Sequence, residues 1–451
     1  MANATGPQES TRLPPLPPAA IEGLSRPWIR FTRIQVASGL MLLTCSVLSL
    51  ALANSPLASE WKELWNLHVS VSVPGLSLDY PLWYWINDGL MALFFFVVGL
   101  EIKREIVLGE LRELRSVILP VAGALGGALV PAAIYSMMLR GQPGGAGWAV
   151  PMATDIAFVV GALALLGPRV PSGLKVFLLS LAIVDDLMAV GIIAVFLAEP
   201  PKLSWLAAAA VLMIGVASLR RLGVRRVSVY VLVGTAAWVC TLKSGVHPTV
   251  AGAALGLLTP AGAWLGRSHA TKHMKAALEV LEDPSVETGG WEERVALDRA
   301  AVAAREARSP LERLETTLHP WVGFAIMPVF ALANAGVAVS AGVVTDPVAI
   351  AAGVALVVGK PLGILGATGL VVAAGLGRLP EGVGWIAMAG GALLAGIGFT
   401  MSLFIAGLSL TEPLLGAAKM GVLMGSLLAG VLGLTVLRLS LPSGDLAERP
   451  G

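Results

Sequence analysis

The chain has 451 residues, of which 56% are hydrophobic and only 13% charged. A soluble domain carries about 25% charge, so a soluble enzyme is excluded, and so is disorder beyond the ends and one loop. The net charge is +2, from 31 Lys and Arg against 29 Asp and Glu, which gives no reason to expect a nucleic-acid partner.

Residues 1–33 are polar and Pro-rich and lack the layout of a cleavable signal peptide. They read as a tail before a retained membrane helix. Twelve apolar segments follow, near 34–53, 82–100, 117–139, 148–166, 174–198, 204–218, 227–243, 246–265, 320–339, 347–374, 383–410 and 416–437. Each approaches the roughly 20 apolar residues that cross a bilayer; the sixth and seventh are short. The expected fold is an all-α integral membrane protein of about twelve spans. The membrane domain covers 34–440, and 441–451 forms a second tail. Of the 31 Lys and Arg, 25 fall in alternate connections or the segment ends beside them, five in or beside the others, and Lys360 lies deep inside a segment. Such a bias puts the Lys/Arg-rich connections and both termini in the cytoplasm.

Two connections stand out. In LHVSVSVPGLSLDY, Val69, Val71 and Val73 alternate with polar residues, Pro74-Gly75 turns the chain, and Leu76 and Leu78 alternate again. This predicts an extracytoplasmic β-hairpin over 68–80, with an irregular loop as the alternative. The cytoplasmic loop 266–317 is charged, mixed in sign and helical in parts. Ser309-Pro310-Leu311-Glu312 is a helix start, with an N-cap Ser, Pro at the first helical position and Glu at the third. It places Glu315 and His319 on a helix entering the ninth segment, which Pro320 would interrupt.

Ionisable residues inside spans cost roughly 2.5–3.5 kcal/mol each at mid-helix. Asp155, Asp185, Asp186 and Lys360 lie there, with Asp88 near the outer end of the second segment. Unpaired, the four central charges would cost on the order of 10 kcal/mol, so they must pair or line a wet cavity. Asp185 and Asp186 sit about 18 Å from the inner end of their helix, near mid-membrane, and point about 100° apart. One can therefore face a cavity while the other meets a partner helix, for which Lys360 is the only central base. The fourth segment, with Pro151 just before Ala153-Thr154-Asp155, and the eleventh, with Gly396 and Gly398 beside Thr400, read as interrupted helices. Interruptions in corresponding parts of two halves point to inverted repeats, segments three to five matching ten to twelve. Facing half-helix ends leave partial charges at mid-membrane; Asp155 is placed to offset the positive ends and Lys360 the negative ones.

Weaker signals carry less. Cys45 and Cys240 lie in apolar runs and read as packing residues. Gly359-Lys360 departs from a phosphate loop in spacing and in Pro361. His269 and His273 have metal-ligand spacing but no third ligand. Gly123/Gly127 and Gly252/Gly256 are helix-packing pairs. No cofactor is expected. An intramembrane aspartyl protease would need its two carboxylates on facing segments, which adjacent Asp185 and Asp186 do not provide. A cation channel is the remaining rival.

The motifs ATDIAF, LAIVDDL, GKPLG, GIGFTMSLFIAGL, FFFVVGLEIKRE and LHPWVGFAIMPVFALANAGV closely resemble the NhaA-type sodium/proton antiporters over about 34–265 and 310–440. The resemblance implies a secondary antiporter of the bacterial inner membrane and not an enzyme. It would export Na+ (or Li+) for external H+ by alternating access, with electrogenic, pH-regulated exchange. It implies that Asp186 is the main ion and proton carrier and that Asp185 pairs with Lys360. Asp155 would steady crossed broken helices, with Thr154 beside the ion site, and the 68–80 hairpin would join a homodimer. Glu101 and Glu105 share one helix face at i, i+4 spacing, as do Glu315 and His319. If the two ends meet at the cytoplasmic mouth, they are pH-response candidates. The chain departs from the family pattern at Met188, where a small residue is usual, at Thr316, where His is common, and in the length of loop 266–317.

Overall fold

The computed structural model describes residues 35–73, 76–109, 114–197, 200–224, 226–285 and 290–441. Residues 1–34, the C-terminal tail beyond 441 and the Pro74-Gly75 turn lie outside the described residues. Helix α1 spans Gln35–Ala53, and α2, Ala58–Asn66, turns from it by 115°. The two strands β1 (His68–Val73) and β2 (Leu76–Pro81) pair antiparallel, with Ser70 opposite Asp79 and Val71 opposite Leu78. The hairpin expected from residue alternation is therefore present. The Ser70 hydroxyl donates to Asp79 Oδ1 at 2.6 Å, and together with His68 it holds the Asp79 carboxyl below its usual range. Trp85 Nε1 ties the hairpin to the bundle by donating to Val69 O at 3.0 Å.

The helices that follow are α3 (Met91–Val107), α4 (Leu114–Met138), α5 (Ile156–Leu166), α6 (Ser172–Phe196), α7 (Leu203–Arg221), α8 (Val227–Ser244) and α9 (Pro248–Leu258). The cytoplasmic loop of the sequence reading forms α10 (Arg267–Glu282) and α11 (Trp291–Glu306). Then come α12 (Pro310–Trp321), α13 (Met327–Asn334), α14 (Pro347–Val354), α15 (Lys360–Ala373), α16 (Trp385–Ala395), α17 (Phe399–Ser409) and α18 (Leu414–Ser440). Ser309 forms the expected capping box with Glu312. The helix passes through Pro320 and continues as a π-helical turn at Val322–Ile326, so the chain does not break there.

Helices occupy all twelve apolar segments, but among the described residues only seven stretches are by themselves long and apolar enough to cross a membrane, or nine if each bent pair is one span. The segments that fall short have physical reasons. The last turns of α3 carry Glu101, Lys103, Arg104 and Glu105. The eighth segment, expected to run to 265, stops at Leu258 because Thr259 precedes Pro260 and turns extended. The seventh, read as short, passes the length test as Val227–Ser244.

Small residues set the helix contacts. A Cβ on Gly252 or Gly256 would collide with the carbonyl oxygens of Ala92 and Phe96, which fixes α9 against α3. On α4 the closest approach falls on Gly126, whose backbone meets that of Gly363 on α15; Gly123 and Gly127 face the side chains of Leu181 and Ile364. Helix α4 also packs on α6 and α16 on α18, so α15 is held beside the aspartate-bearing helix.

Candidate functional site

The fourth segment opens as a 3-10 helix, Gly145–Met152, runs extended through Ala153 and Asp155, and resumes as α5. The eleventh breaks between α16 and α17 with a bend of 44°. Pro151 lacks an amide and disfavours helix in the preceding residue. Gly398 sits where a Cβ would run into Ser402 Oγ and lie 3.0 Å from Ala153 O. The two breaks meet, and Asp155 N donates to Ile397 O at 2.7 Å.

Four helix ends point into this crossing, and a polar side chain lies within hydrogen-bond distance of each. Asp155 accepts from Ala157 N at 3.1 Å and Phe158 N at 3.4 Å, so it caps α5. Its other oxygen accepts from Thr400 N at 3.1 Å and from the Thr400 hydroxyl, which caps α17. One carboxylate thus answers the positive ends of two half-helices. At the negative ends, Lys360 Nζ donates to Met152 O, and Thr154 Oγ1 lies 3.0 Å from Ala395 O. Ser426 of α18 accepts from Phe399 N at 3.1 Å.

The aspartate pair divides as its helical spacing requires. Asp185 Oδ2 accepts from Lys360 Nζ at 2.7 Å and from Thr154 Oγ1 at 2.6 Å. Lys360 is fully buried, and both aspartates are 3% exposed. A π-helical turn, Ala355–Gly359, immediately precedes Lys360 and rotates it relative to an uninterrupted helix. Asp186 points the other way, into a cavity of about 900 Å³. Oδ1 of Asp185 and Oδ1 of Asp186 have no hydrogen-bond partner among the described residues. Carboxylate, hydroxyl and carbonyl oxygens are the donors a hard cation prefers; Asp186 and Thr154 present them on the cavity wall, with Asp185 hydrogen-bonded to Thr154 behind it.

The cavity runs from Asp186, Asp155 and Thr154 to a mouth lined by Glu101, Arg104, Glu105, Glu315 and His319. The structure brings these last residues together. His319 Nδ1 lies 3.3 Å from Glu101 Oε1, and Arg104 bridges Glu315 and, at 3.1 Å, Glu105. The carboxylates raise the pKa of Arg104 although its partial burial works the other way. Thr316 donates to Glu312 O and accepts from Arg308, both on the cavity rim. Met188 does not line this cavity. It borders a separate void of about 10 Å³ on the Asp185 side, with Ala149 and Ile405.

Several contributors were not legible in sequence. Ser426 and the carbonyls of Met152, Ala395 and Ile397 carry no motif. The sequence marks Asp88 but not its partner: His247 Nε2 lies 3.1 Å from Asp88 Oδ1, and His247 Nδ1 lies 2.7 Å from Thr249 Oγ1. The Trp85–Leu90 π-helical turn that presents Asp88 also gave no periodic signal.

The family model described as Na+/H+ antiporter 1 matches residues 29–437. The Na(+)/H(+) antiporter NhaA of Rhodopirellula baltica is 47% identical over 438 residues, 96% of this chain and 98% of that protein. The NhaA protein of Rhizobium meliloti is 46% identical over 94% of this chain and 97% of its own length. NhaA 2 of Myxococcus xanthus is 44% identical over 100% of this chain and 97% of its own.

Proposed function

The chain belongs to the Na+/H+ antiporter 1 family, and from that premise we propose that it exports cytoplasmic Na+ (or Li+) for external H+ at Asp186 and Asp185. The observation that carries this reading is the split carboxylate pair. Asp186 opens onto the cavity, and Asp185 beside it is held by Lys360 and Thr154. A hard cation entering the cavity meets the carboxylate of Asp186 and the Thr154 hydroxyl, and Asp185, hydrogen-bonded to Thr154 just behind them, adds its negative charge. Protons compete for the same oxygens, so each cargo displaces the other. One ammonium and two carboxylates at the site let more than one proton leave per ion, which makes the exchange electrogenic. Alternating access then needs only that the cavity close on the Glu101 side and open on the opposite one. Dequenching of an imposed pH gradient by Na+ in proteoliposomes tests the assignment; conductance without coupled proton movement would instead indicate a channel. No enzymatic step is involved.

The finer architecture follows the same reading. Twelve spans place both termini in the cytoplasm of a bacterial inner-membrane protein, and the crossing of the fourth and eleventh segments relates two inverted repeats. The strand edges of the 68–81 hairpin suit a second copy of the chain. Deletion of 68–78 is expected to convert dimers to monomers that still exchange ions, as size-exclusion with light scattering in detergent would report. An unchanged mass would count against it.

Glu101, Glu105, Glu315 and His319 form the pH-responsive mouth. Arg104 is shared between Glu315 and Glu105, and His319 between Glu101 and solvent, so a proton gained or lost by one member redistributes the rest. Glu315→Gln removes one claim on Arg104. It is expected to displace the pH dependence of exchange while the saturating rate stays near wild type. A uniformly lower rate with an unmoved profile would make Glu315 structural.

A further inference from the structure

We propose that Phe404 is the gate that closes the route between the aspartate pair and the face of the protein carrying the β-hairpin. This rests on the exchange reading above. Met401 of α17, Phe94 and Val98 of α3 and Met327 of α13 line the cavity that serves the Glu101 face. One turn along α17, away from the crossing, Phe404 is not among the described residues that line it. There the packing closes. The Phe404 ring centroid lies 5.7 Å from Phe95, 6.1 Å from Phe330 and 5.5 Å from the His247 imidazole. Phe404 is 2% exposed, and Phe95 and Phe330 are fully buried.

The elements that meet at this ring make it a gate and not only a core contact. Helix α17 begins at the crossing, where Thr400 is bound to Asp155. The other three rings belong to α3, α13 and the N-cap of α9, and α3 and α9 pack on each other through Gly252 and Gly256. Phe404 therefore joins the unit that holds the site to the panel facing it. Helix α3 runs from the hairpin to Glu101, and α13 runs away from His319, so the Trp85–Leu90 turn before α3 and the end of α13 place polar residues on the hairpin side of the ring. These are Asp88, bound to His247, and Asn87, which accepts from Asn334 Nδ2 at 2.8 Å. An apolar layer centred on Phe404 separates two polar regions. Hydrophobic constrictions of this kind close a path by excluding water, and a small shift of α17 against the panel would withdraw the ring.

A membrane-impermeant maleimide tests this in a background carrying Cys45→Ser and Cys240→Ser. Met401→Cys reports the cavity, and Ser72→Cys on the exposed hairpin reports which face is outward. In sealed vesicles with the hairpin outward, Ser72→Cys is expected to label and Met401→Cys to stay protected. Adding Phe404→Ala, or the milder Phe404→Val, is expected to abolish that protection, and Phe404→Leu to preserve it. Continued protection of Met401→Cys with both smaller residues, while Ser72→Cys labels normally, overturns the gate. Na+-driven proton movement by the parent protein in the same vesicles reports the exchange reading separately. Loss of protection on Phe404→Ala, with a protected parent that does not exchange, would leave the gate standing and remove the antiport.

Discussion

Asp186→Asn is expected to abolish Na+-dependent proton movement in proteoliposomes while the protein still inserts and purifies. Asp186 is the member of the pair on the cavity wall, with one oxygen unpartnered among the described residues. The amide keeps the size and one carbonyl oxygen but loses the negative charge that draws a cation, and it cannot carry the exchanged proton. Both half-reactions therefore fail together. The substitution leaves the fold's own contacts in place, because Asp186 makes none of the bonds that hold the crossing; those belong to Asp155, Thr154, Thr400 and Lys360. Robust exchange by this variant would remove Asp186 from the site and leave Asp185 as the carrier.

Lys360→Ala is expected to destabilise the protein by roughly 3–5 kcal/mol, the usual cost of removing one partner of a buried ion pair, and to slow exchange as well. Its ammonium donates to both Asp185 and the Met152 carbonyl. Truncation leaves a buried carboxylate with only Thr154, and an open helix end with nothing to answer it. The loss should be largest where Asp185 is ionised and should shrink as acid neutralises it, since a neutral carboxyl no longer needs the cation. Thermal unfolding in detergent across pH measures this. A melting temperature equal to wild type at neutral pH would show that the pair contributes nothing to stability.

Much of this was legible in the chain itself. Composition required a membrane protein, and runs of apolar residues located the helices, because a helix in lipid satisfies its own backbone and needs only apolar side chains outside. The alternation from Val69 to Leu78 located the hairpin, since successive strand residues point to opposite faces. The adjacency of Asp185 and Asp186 required them to face different ways, and Pro151 and Gly398 marked the two breaks. All of these are local signals, carried by residues within a few turns of one another. What only the tertiary structure decided joins residues far apart in sequence. It gave Lys360 to Asp185 and His247 to Asp88, and it put both breaks in contact through Asp155 and Ile397. It turned Met188 away from the main cavity and made Ser426 a cap for α17. Main-chain carbonyls are the same in every residue, so no sequence pattern announces that those of Met152 and Ala395 will need a partner. Which side chain reaches them depends on how closely α4 and α15 approach, and the glycines that permit that approach acquire meaning only once the helices are packed.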